Sequence, residues 1–216
     1  GKRPIAYSGL QRYALATVNT YRDTEAQAID KNGSVLMRLL NAQAAAREKG
    51  STITDVDIAE ECTDHLDAGL KTTSDSLLFA LWALSLPGNE KYQERLAAEV
   101  NAAKDSLSSS DVLPAEVSEN LPFLDAVIKE VLRIYDPIPA SQLRTSTSDT
   151  TVEGFSIPAG TMVSCQAYSL HRNPEIFPEP YTFNPDRWLK DEATVAEMMR
   201  WWWPFSSGGR MCLGMQ

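Results

Sequence analysis

The sequence predicts a mainly α-helical fold with a small antiparallel β-sheet, and three observations support this prediction. Before position 136, apolar residues recur at helical spacing. From Val152 to Tyr168, short runs of strand-forming residues alternate with turn residues. From 171 to 204, prolines and aromatic residues dominate without a clear period, which predicts a largely irregular, meandering segment.

Glycines and caps divide the helical region. Two surface helices are expected at 9–31 and 34–48, with Gly33 and Gly50 as breakers. Thr54 and Asp57 resemble a capping box at the start of a third helix of about 33 residues. At 1.5 Å per residue that helix is about 50 Å long, enough to cross a whole domain.

Two further helices are expected before the sheet. Asn89 is placed to cap the first of them, which carries an apolar stripe. Pro122 suits the first turn of the second, which Asp136 and Pro137 end. The serine-rich run 106–111 is expected to be the loop between them.

Composition places the chain among ordinary globular proteins. With 216 residues, 43% of them hydrophobic and 23% charged, the range 1–216 fits a single domain. The net charge of −9 argues against nucleic acid or an anionic membrane as a partner. No run of about 20 apolar residues is present, which predicts that this chain has no membrane-spanning segment.

Cysteine usage points to a reducing compartment. The three cysteines, at positions 62, 165 and 212, form an odd and sparse set. With only His65 and His171 beside them, they show no zinc-like spacing.

The segment Phe205–Gly214 combines an aromatic residue, glycines at fixed points, one arginine and one cysteine. Glycines allow positive φ and a close approach of the backbone to a flat ligand, so Cys212 and nearby amides could face a metal ion from one side. The alternative is that Cys212 is a small buried apolar residue in a glycine-rich turn.

The complete spacing Phe-x-x-Gly-x-Arg-x-Cys-x-Gly resembles the signature of the cytochrome P450 family. The resemblance implies an incomplete P450 fold and haem b, iron protoporphyrin IX, with Cys212 as the ligand of its iron. It assigns Arg210 and Arg144 to the haem propionates. The remaining implied cofactor-binding residues are Phe205, Gly208, Gly214 and Gly69.

Gly69 interrupts the apolar stripe of the long helix, at a cost of about 1 kcal/mol relative to alanine, which invites a ligand against the backbone. By resemblance this place is the family's oxygen-binding groove, and Thr72 is the catalytic alcohol that helps to relay protons to dioxygen. The alternative is a surface-to-core transition that binds no ligand.

Lys71 stands where the family usually has Asp or Glu. A carboxylate exchanges protons readily near neutral pH, whereas an ammonium group does not. Asp67 and Asp75 lie four residues away on the same face of the helix. We expect such a pairing to hold the ammonium outward, so that proton delivery is impaired or rerouted through water.

Glu130 and Arg133 lie three residues apart on a mostly apolar helix, a pairing that is usually exposed and of little energetic value. The resemblance makes them a structural triad with Arg187, which locks the meander under the haem. His171 is interpreted as structural. The tryptophans 201–203 are interpreted as aromatic core or as packing for the cofactor.

The resemblance covers residues 51–216 and implies the haem-binding half of a monooxygenase similar to fungal members, which act in secondary metabolism or on foreign compounds. It implies an apolar small-molecule substrate, O2, and an NADPH-dependent reductase or another electron donor. It also implies a cytoplasmic-facing parent protein, anchored to the endoplasmic reticulum through an N-terminal part outside this chain. The alternative is a truncated or degenerate, non-catalytic remnant that binds haem weakly or not at all and exposes apolar surface.

Overall fold

The computed structural model describes residues 5–23, 33–105 and 112–215. The chain divides into two compact units, residues 1–71 and 72–216, and each is described by itself. The expected fold class, mainly α-helical with a small amount of antiparallel sheet, is confirmed. The assignment of 1–216 to a single domain stays a prediction.

The first unit contains α1 (Ile5–Asp23), α2 (Val35–Glu48) and the first part of α3 (Asp55–Ser85). Helix α1 begins earlier than predicted, and the rest of the predicted segment, 24–31, lies outside the described residues. Small and branched apolar side chains form the core of this unit, namely Ala14, Val18, Ile58 and Ala59.

A polar cluster joins the three helices of this unit. The Arg22 guanidinium donates to both carboxylate oxygens of Asp55 and to Gln43 Oε1. The amide of Gln43 donates to Asp55 Oδ1 and to the Ile53 carbonyl. Hydrogen bonds from Arg22 and Gln43 lower the pKa of Asp55 to about 2, against burial, which raises it.

The capping box at the start of α3 is confirmed. Thr54 Oγ1 accepts from the Asp57 amide at 3.1 Å, and Asp57 Oδ2 accepts from the Thr54 amide at 2.7 Å. The helix runs for 31 residues and is followed by Pro87 and by Gly88, whose φ is +93°. Each terminus therefore lies where the local sequence places it.

The second unit is organised around α6 (Pro122–Ile134), which packs against α4 (Glu90–Asp105); the short α5 is Ala115–Ser118. The first amides of a helix have no partner within it. In α6 the carboxylate of Glu99 on α4 accepts from the amides of Phe123 and Leu124, each at 2.9 Å. Nothing in the local sequence predicts this cap, since its two halves lie far apart in the chain.

Asn89 lies directly before α4, at the predicted cap position, and its backbone carbonyl accepts from the amides of Tyr92 and Gln93. Its side-chain amide also donates to the Ala83 carbonyl at 2.8 Å and so caps the end of α3. The last carbonyls of a helix have no regular partner within it, and Asn89 reaches that of Ala83 across the tight turn at Gly88. The predicted loop 106–111 lies outside the described residues.

The β structure consists of two two-stranded antiparallel sheets. Strands β1 (Gln142–Thr145) and β4 (Met162–Cys165) form one, with Arg144 opposite Val163. Strands β2 (Thr150–Val152) and β3 (Phe155–Ile157) form the other.

The start of the strand region near Arg144 agrees with the sequence, and only its predicted end, at Tyr168, is corrected. The strand region begins at Gln142 and ends at Cys165, and Tyr168 lies in a short helix, α7 (Ala167–Leu170). The β2–β3 hairpin follows its turn chemistry, because Glu153 and Gly154 both have positive φ, at 48° and 85°. Strand β1 pairs with β4, and the local sequence does not identify this partner.

The segment 171–204 is less irregular than predicted. It contains a 3₁₀ turn, Pro185–Leu189, and a ten-residue helix, α8 (Glu192–Trp201), capped by Asp191, which accepts from the Thr194 amide at 3.0 Å. An aromatic and apolar cluster forms beneath this segment, consisting of Ala126, Phe177, Trp188 and Met198. Burial of Met198 stabilises this helix, whereas the prolines before and after it in the sequence favour an irregular segment.

Several large apolar side chains are exposed in the described part of the chain. On α3 they include Leu77, Leu78 and Leu81, which are 61%, 63% and 70% exposed. Among the described helices, none combines the length and apolar character needed to cross a bilayer. Cys62, Cys165 and Cys212 are all free thiols.

Candidate functional site: a cysteine loop on a buried ionic network

A fully buried carboxylate, Glu130 on α6, is surrounded by N–H donors. Arg133 donates through Nε to Oε2 and through Nη2 to Oε1, each at 2.9 Å. Arg187 donates through Nε to Oε1 at 3.0 Å. The structure thus brings the predicted triad together, with one carboxylate shared by two guanidinium groups.

Two donors that sequence reasoning missed complete this carboxylate. The Asn184 amide donates to Glu130 Oε1 at 2.9 Å, and Trp188 Nε1 donates to Oε2 at 3.0 Å. Both residues lie close to Arg187 in sequence. A buried indole N–H usually has an acceptor, so Trp188 could have been predicted from the sequence as a donor. Glu130 therefore binds the whole 3₁₀ turn and not Arg187 alone.

Two guanidinium groups against one carboxylate leave an excess positive charge in the interior. Backbone carbonyls of the meander surround it. Arg133 Nη1 donates to the carbonyls of His171 and Pro180 at 2.8 and 2.7 Å. Arg187 Nη1 donates to the Pro178 carbonyl at 3.0 Å. Chain 171–187 is thereby bound to α6 by charge-assisted hydrogen bonds.

His171 connects this network to the cysteine loop. Its ring is fully buried, its Nδ1 lies 3.2 Å from the Arg133 carbonyl, and its Nε2 accepts from the Trp203 amide at 2.7 Å. Burial lowers the pKa of His171 to about 4, and the charges of Arg133 and Arg172 act in the same direction. The imidazole is therefore neutral at physiological pH.

The tryptophans at 201–203 form the base of the loop. Trp202 Nε1 donates to the Lys129 carbonyl at 3.1 Å, and its ring meets those of Trp188 and Phe205 edge to face, with centroids 6.1 and 5.9 Å away. Trp203 Nε1 donates to Ser207 Oγ at 3.0 Å. Phe205 thus lies where the aromatic cluster meets the loop.

Backbone hydrogen bonds close the loop: the Cys212 amide donates to the Phe205 carbonyl at 2.9 Å, and the Met211 amide donates to the Gly208 carbonyl at 3.1 Å. Ser206 and Gly208 adopt positive φ of 59° and 74°, which turns the chain sharply. Cys212 is exposed, so the alternative of a buried apolar cysteine is not what the structure shows.

The glycines leave space around the thiol. A Cβ added at Gly208 or Gly209 would meet no atom within 4 Å, and one at Gly214 would lie 3.8 Å from Cys212 Sγ. An accessible soft sulfur donor, beside backbone that carries no side chains, suits a thiolate-ligated metal in a bulky, flat cofactor.

Arg210 and Arg144 are exposed, one in the loop and one on β1. Within the described part of the chain, neither takes part in an ion pair. Arg144 Nη1 donates to its neighbour's carbonyl, that of Leu143, at 2.8 Å. No hydrogen bond between described residues joins Arg144 to the cysteine loop, so its place beside Arg210 stays a prediction.

Gly69 and Thr72 lie on α3, in the first and second unit respectively. A Cβ at Gly69 would meet open space. Thr72 is partly buried, and its carbonyl accepts from Ser76 Oγ at 2.9 Å. Lys71 is exposed, and the expected pairing with Asp67 or Asp75 is not among the ion pairs that the described residues form.

Comparisons with known proteins agree with this geometry. The chain is 32% identical over 200 residues to cytochrome P450 3A13 of Mus musculus, covering 92% of this chain and 37% of that protein. It is 33% identical over 186 residues to cyclooctat-9-en-7-ol 5-monooxygenase of Streptomyces melanosporofaciens, covering 85% and 38%. It is 36% identical over 169 residues to probable cytochrome P450 4s3 of Drosophila melanogaster, covering 78% and 31%.

The chain therefore spans about a third of the length of the curated relatives it matches. The family model for cytochrome P450 matches residues 6–216, which is nearly all of it. Together with the loop that presents Cys212 and the network beneath it, this match settles the family: the chain belongs to the cytochrome P450 family.

Proposed function

We propose that this chain forms the haem-binding part of a monooxygenase that inserts one oxygen atom from O2 into an apolar organic substrate. The observation that carries the proposal is the exposed Cys212 thiol in an open glycine loop, in a chain of the cytochrome P450 family. The buried network on α6 supports that loop from below.

The residues present fit a haem group. Cys212 offers the sulfur ligand, and the open space at Gly208 and Gly209 leaves room for a flat macrocycle close to the backbone. Arg210 and Arg144 are exposed cations that carboxylates of a haem can pair with. A haem held by a thiolate supplies activation of dioxygen, because thiolate donation favours O–O cleavage.

Each residue then has a stated task. Cys212 Sγ binds the iron as thiolate, and Phe205 and Gly214 keep the sulfur accessible. Arg210 and Arg144 orient the group through its propionates. On α3, Gly69 leaves the backbone open to dioxygen and substrate, and the Thr72 hydroxyl holds and passes a proton.

Substrate and partners follow from the family at a coarser level. The name of the Streptomyces relative describes oxidation of a cyclic alcohol at carbon 5. An apolar substrate suits Leu66 and Leu70, which are exposed on α3. We propose haem b as the cofactor and an NADPH-dependent reductase as the electron donor, at the cytoplasmic face of the endoplasmic reticulum. The proposed biological role is fungal secondary metabolism or the oxidation of foreign compounds.

A second candidate is a degenerate protein that binds haem weakly and is not catalytic. Two observations favour it. Lys71 occupies the position before Thr72, where the family usually has an acid, and apolar side chains along α3 are exposed. The first candidate requires a stable bond from Cys212 to the iron, whereas the second requires only a weak bond or none.

The deciding experiment is the carbon monoxide difference spectrum of the reduced, haem-loaded protein. We expect a thiolate-type band, its loss in Cys212→Ser, and its retention in Cys165→Ser, which removes another exposed thiol on β4. An absent or imidazole-type band in the unaltered protein, or an unchanged band in Cys212→Ser, would overturn the proposal.

Lys71 has a test of its own. An ammonium group passes protons poorly at neutral pH, so Lys71→Asp is expected to raise the fraction of electrons that end in product, by a factor of about 2 or more. Lys190→Asp, at an exposed position outside α3, is the control and is expected to change nothing. Equal coupling in all three proteins would refute the role of Lys71.

A further inference from the structure

His171 is buried between two backbone groups that specify opposite roles for its two nitrogens. The Trp203 amide can only donate, so Nε2, 2.7 Å away, must accept and carry no proton. The Arg133 carbonyl can only accept, so Nδ1, 3.2 Å away, must carry the proton. One neutral tautomer satisfies both contacts, and neither the other tautomer nor the imidazolium does.

These two contacts connect places that matter for the cysteine loop. Arg133 is the bidentate partner of Glu130, so its backbone is held by the most buried polar cluster among the described residues. Trp203 lies two residues before Phe205, whose carbonyl accepts a hydrogen bond from the Cys212 amide. A single imidazole thus spans from the network to the base of the loop.

A second anchor acts beside the first. Trp202 donates through its indole to the Lys129 carbonyl on α6, and its own amide donates to the Met198 carbonyl at the end of α8, so neither bond reaches the peptide group at 203. The bond from the Trp203 amide to His171 fixes the peptide plane itself. Backbone orientation at 203 then passes through Pro204 into the turn at Ser206, where φ is positive.

We propose that His171, as the neutral Nδ1–H tautomer, is a positioning residue that sets the orientation of the cysteine loop by accepting the Trp203 amide. This inference rests on the proposed function, because the orientation matters only if Cys212 ligates iron. It assigns the decisive contact to Nε2 and a supporting one to Nδ1.

Two substitutions separate the contacts. In His171→Gln the side-chain oxygen can take the place of Nε2 and still accept from Trp203, whereas the shorter His171→Asn can only replace Nδ1 and donate to the Arg133 carbonyl. Both remove the ring, and Asn is also one methylene smaller than Gln, so the global stability of the two variants is measured as well. A difference at Trp203 that exceeds the difference in global stability reports the bond to Trp203.

The first readout needs no cofactor. In His171→Asn, hydrogen exchange of the Trp203 amide is expected to be about tenfold or more faster than in the unaltered protein, because losing one hydrogen bond has about a tenfold effect. In His171→Gln, the rate is expected to stay within about threefold of that of the unaltered protein. Equal exchange rates in the two variants would overturn the inference.

The second readout uses the haem-loaded protein. The fraction of carbon monoxide complex with a thiolate-type band is expected to fall in His171→Asn and to be retained in His171→Gln. A thiolate band that is equally intact in both refutes the positioning role and leaves the proposed function standing. A missing band in the unaltered protein refutes the proposed function, whereas the exchange data still decide the anchoring.

A measurement on the unaltered protein keeps the inference testable if neither variant folds. Nitrogen-15 shifts of the ring are expected to show a protonated Nδ1 and a bare Nε2, with a scalar coupling across the hydrogen bond from the Trp203 amide. A protonated Nε2, or the absence of that coupling, would overturn the inference.

Discussion

The Glu130 network and the cysteine loop lie in the same unit, yet their surroundings are opposite. Glu130 and Arg133 are fully buried and Arg187 is 3% exposed, while Leu213 beside Cys212 is 84% exposed. In the network every carboxylate oxygen is bound by N–H donors. In the loop the two side chains that could bind a ligand, the Cys212 thiol and the Arg210 guanidinium, are exposed.

This difference teaches how the two parts divide their work. A buried charge is stable only when paired and hydrogen-bonded, so the network must be complete within the chain. A loop that binds haem, as we propose for this one, must leave its donors available, so its stability has to come from elsewhere. His171 and the tryptophans at 202 and 203 are the connection through which it does.

The largest expected effect comes from breaking the network. Glu130→Gln leaves two buried guanidinium groups without a carboxylate, and we expect the free energy of unfolding to fall by about 3–5 kcal/mol. Urea denaturation followed by tryptophan fluorescence measures it. Glu197→Gln on α8 is the matched control, because its ion pair with Arg200 is solvent-exposed and worth less than about 1 kcal/mol. Equal losses in the two variants would contradict the picture of the network as the foundation of the unit.

A second carboxylate sharpens the comparison. Asp136, just beyond α6, is 8% exposed; its Oδ1 accepts from the Ile138 amide at 2.9 Å, whereas its Oδ2 has no partner among the described residues. Burial raises the pKa of Asp136 from 3.8 to about 6, against the Ile138 amide and the charge of Arg172, which lower it. Ionisation of Asp136 is therefore costly.

The sign of the pH effect follows from that raised pKa. The folded state holds the Asp136 proton more tightly than the unfolded state, so this group's contribution to stability declines as the pH rises from about 4 to about 6. Asp136→Asn removes the decline and is expected to stabilise the protein by about 1–2 kcal/mol at pH 8. The two proteins should converge near pH 4, and a constant difference across this range would show that the effect is not ionisation.

His171 acts in the opposite direction over the same range. Its pKa in the folded state, about 4, lies below the ordinary 6.5, so its contribution is complete above 6.5 and is lost as the pH falls toward 4. The two slopes oppose each other in the unaltered protein. Asp136→Asn should therefore also show a steeper loss of stability on acidification than the unaltered protein does.

The smallest expected effect is at the loop. Cys212→Ala removes an exposed thiol, and the unfolding free energy of the haem-free protein is expected to change by less than about 0.5 kcal/mol. Urea denaturation under the conditions used for Glu130→Gln gives the comparison directly. A loss above about 2 kcal/mol would mean that Cys212 packs against the unit, and the division of work described above would be wrong.

Much of the fold is accessible from local sequence because helix ends carry their own chemistry. The reciprocal cap at Thr54 and Asp57 and the proline that begins α6 are local devices, and both lie where they were predicted. Helix α8 and the pairing of β1 with β4 were not found. Helix α8 is stabilised by burial of Met198, and β1 is stabilised by pairing with a strand about 20 residues away in the chain.

The candidate site divides along the same line. Spacing alone identifies the cysteine loop and the three charged residues of the network, because fixed spacing is what such a site requires. It does not find the backbone amide of Asn184 or the Trp188 indole as donors to Glu130, and it predicts a structural role for His171 without identifying its two partners, since backbone groups carry no sequence signal.

By itself, the sequence determined the helices before the strands, the family and the cysteine that we propose as the iron ligand, because these depend on short-range pattern and on side-chain type. Only the tertiary structure decided how that residue is supported. It placed a neutral imidazole between the Arg133 carbonyl and the Trp203 amide, and it enclosed an excess positive charge in carbonyl oxygens of the meander. Such contacts join residues distant in the chain, and their strength depends on exclusion of water, which no local pattern encodes.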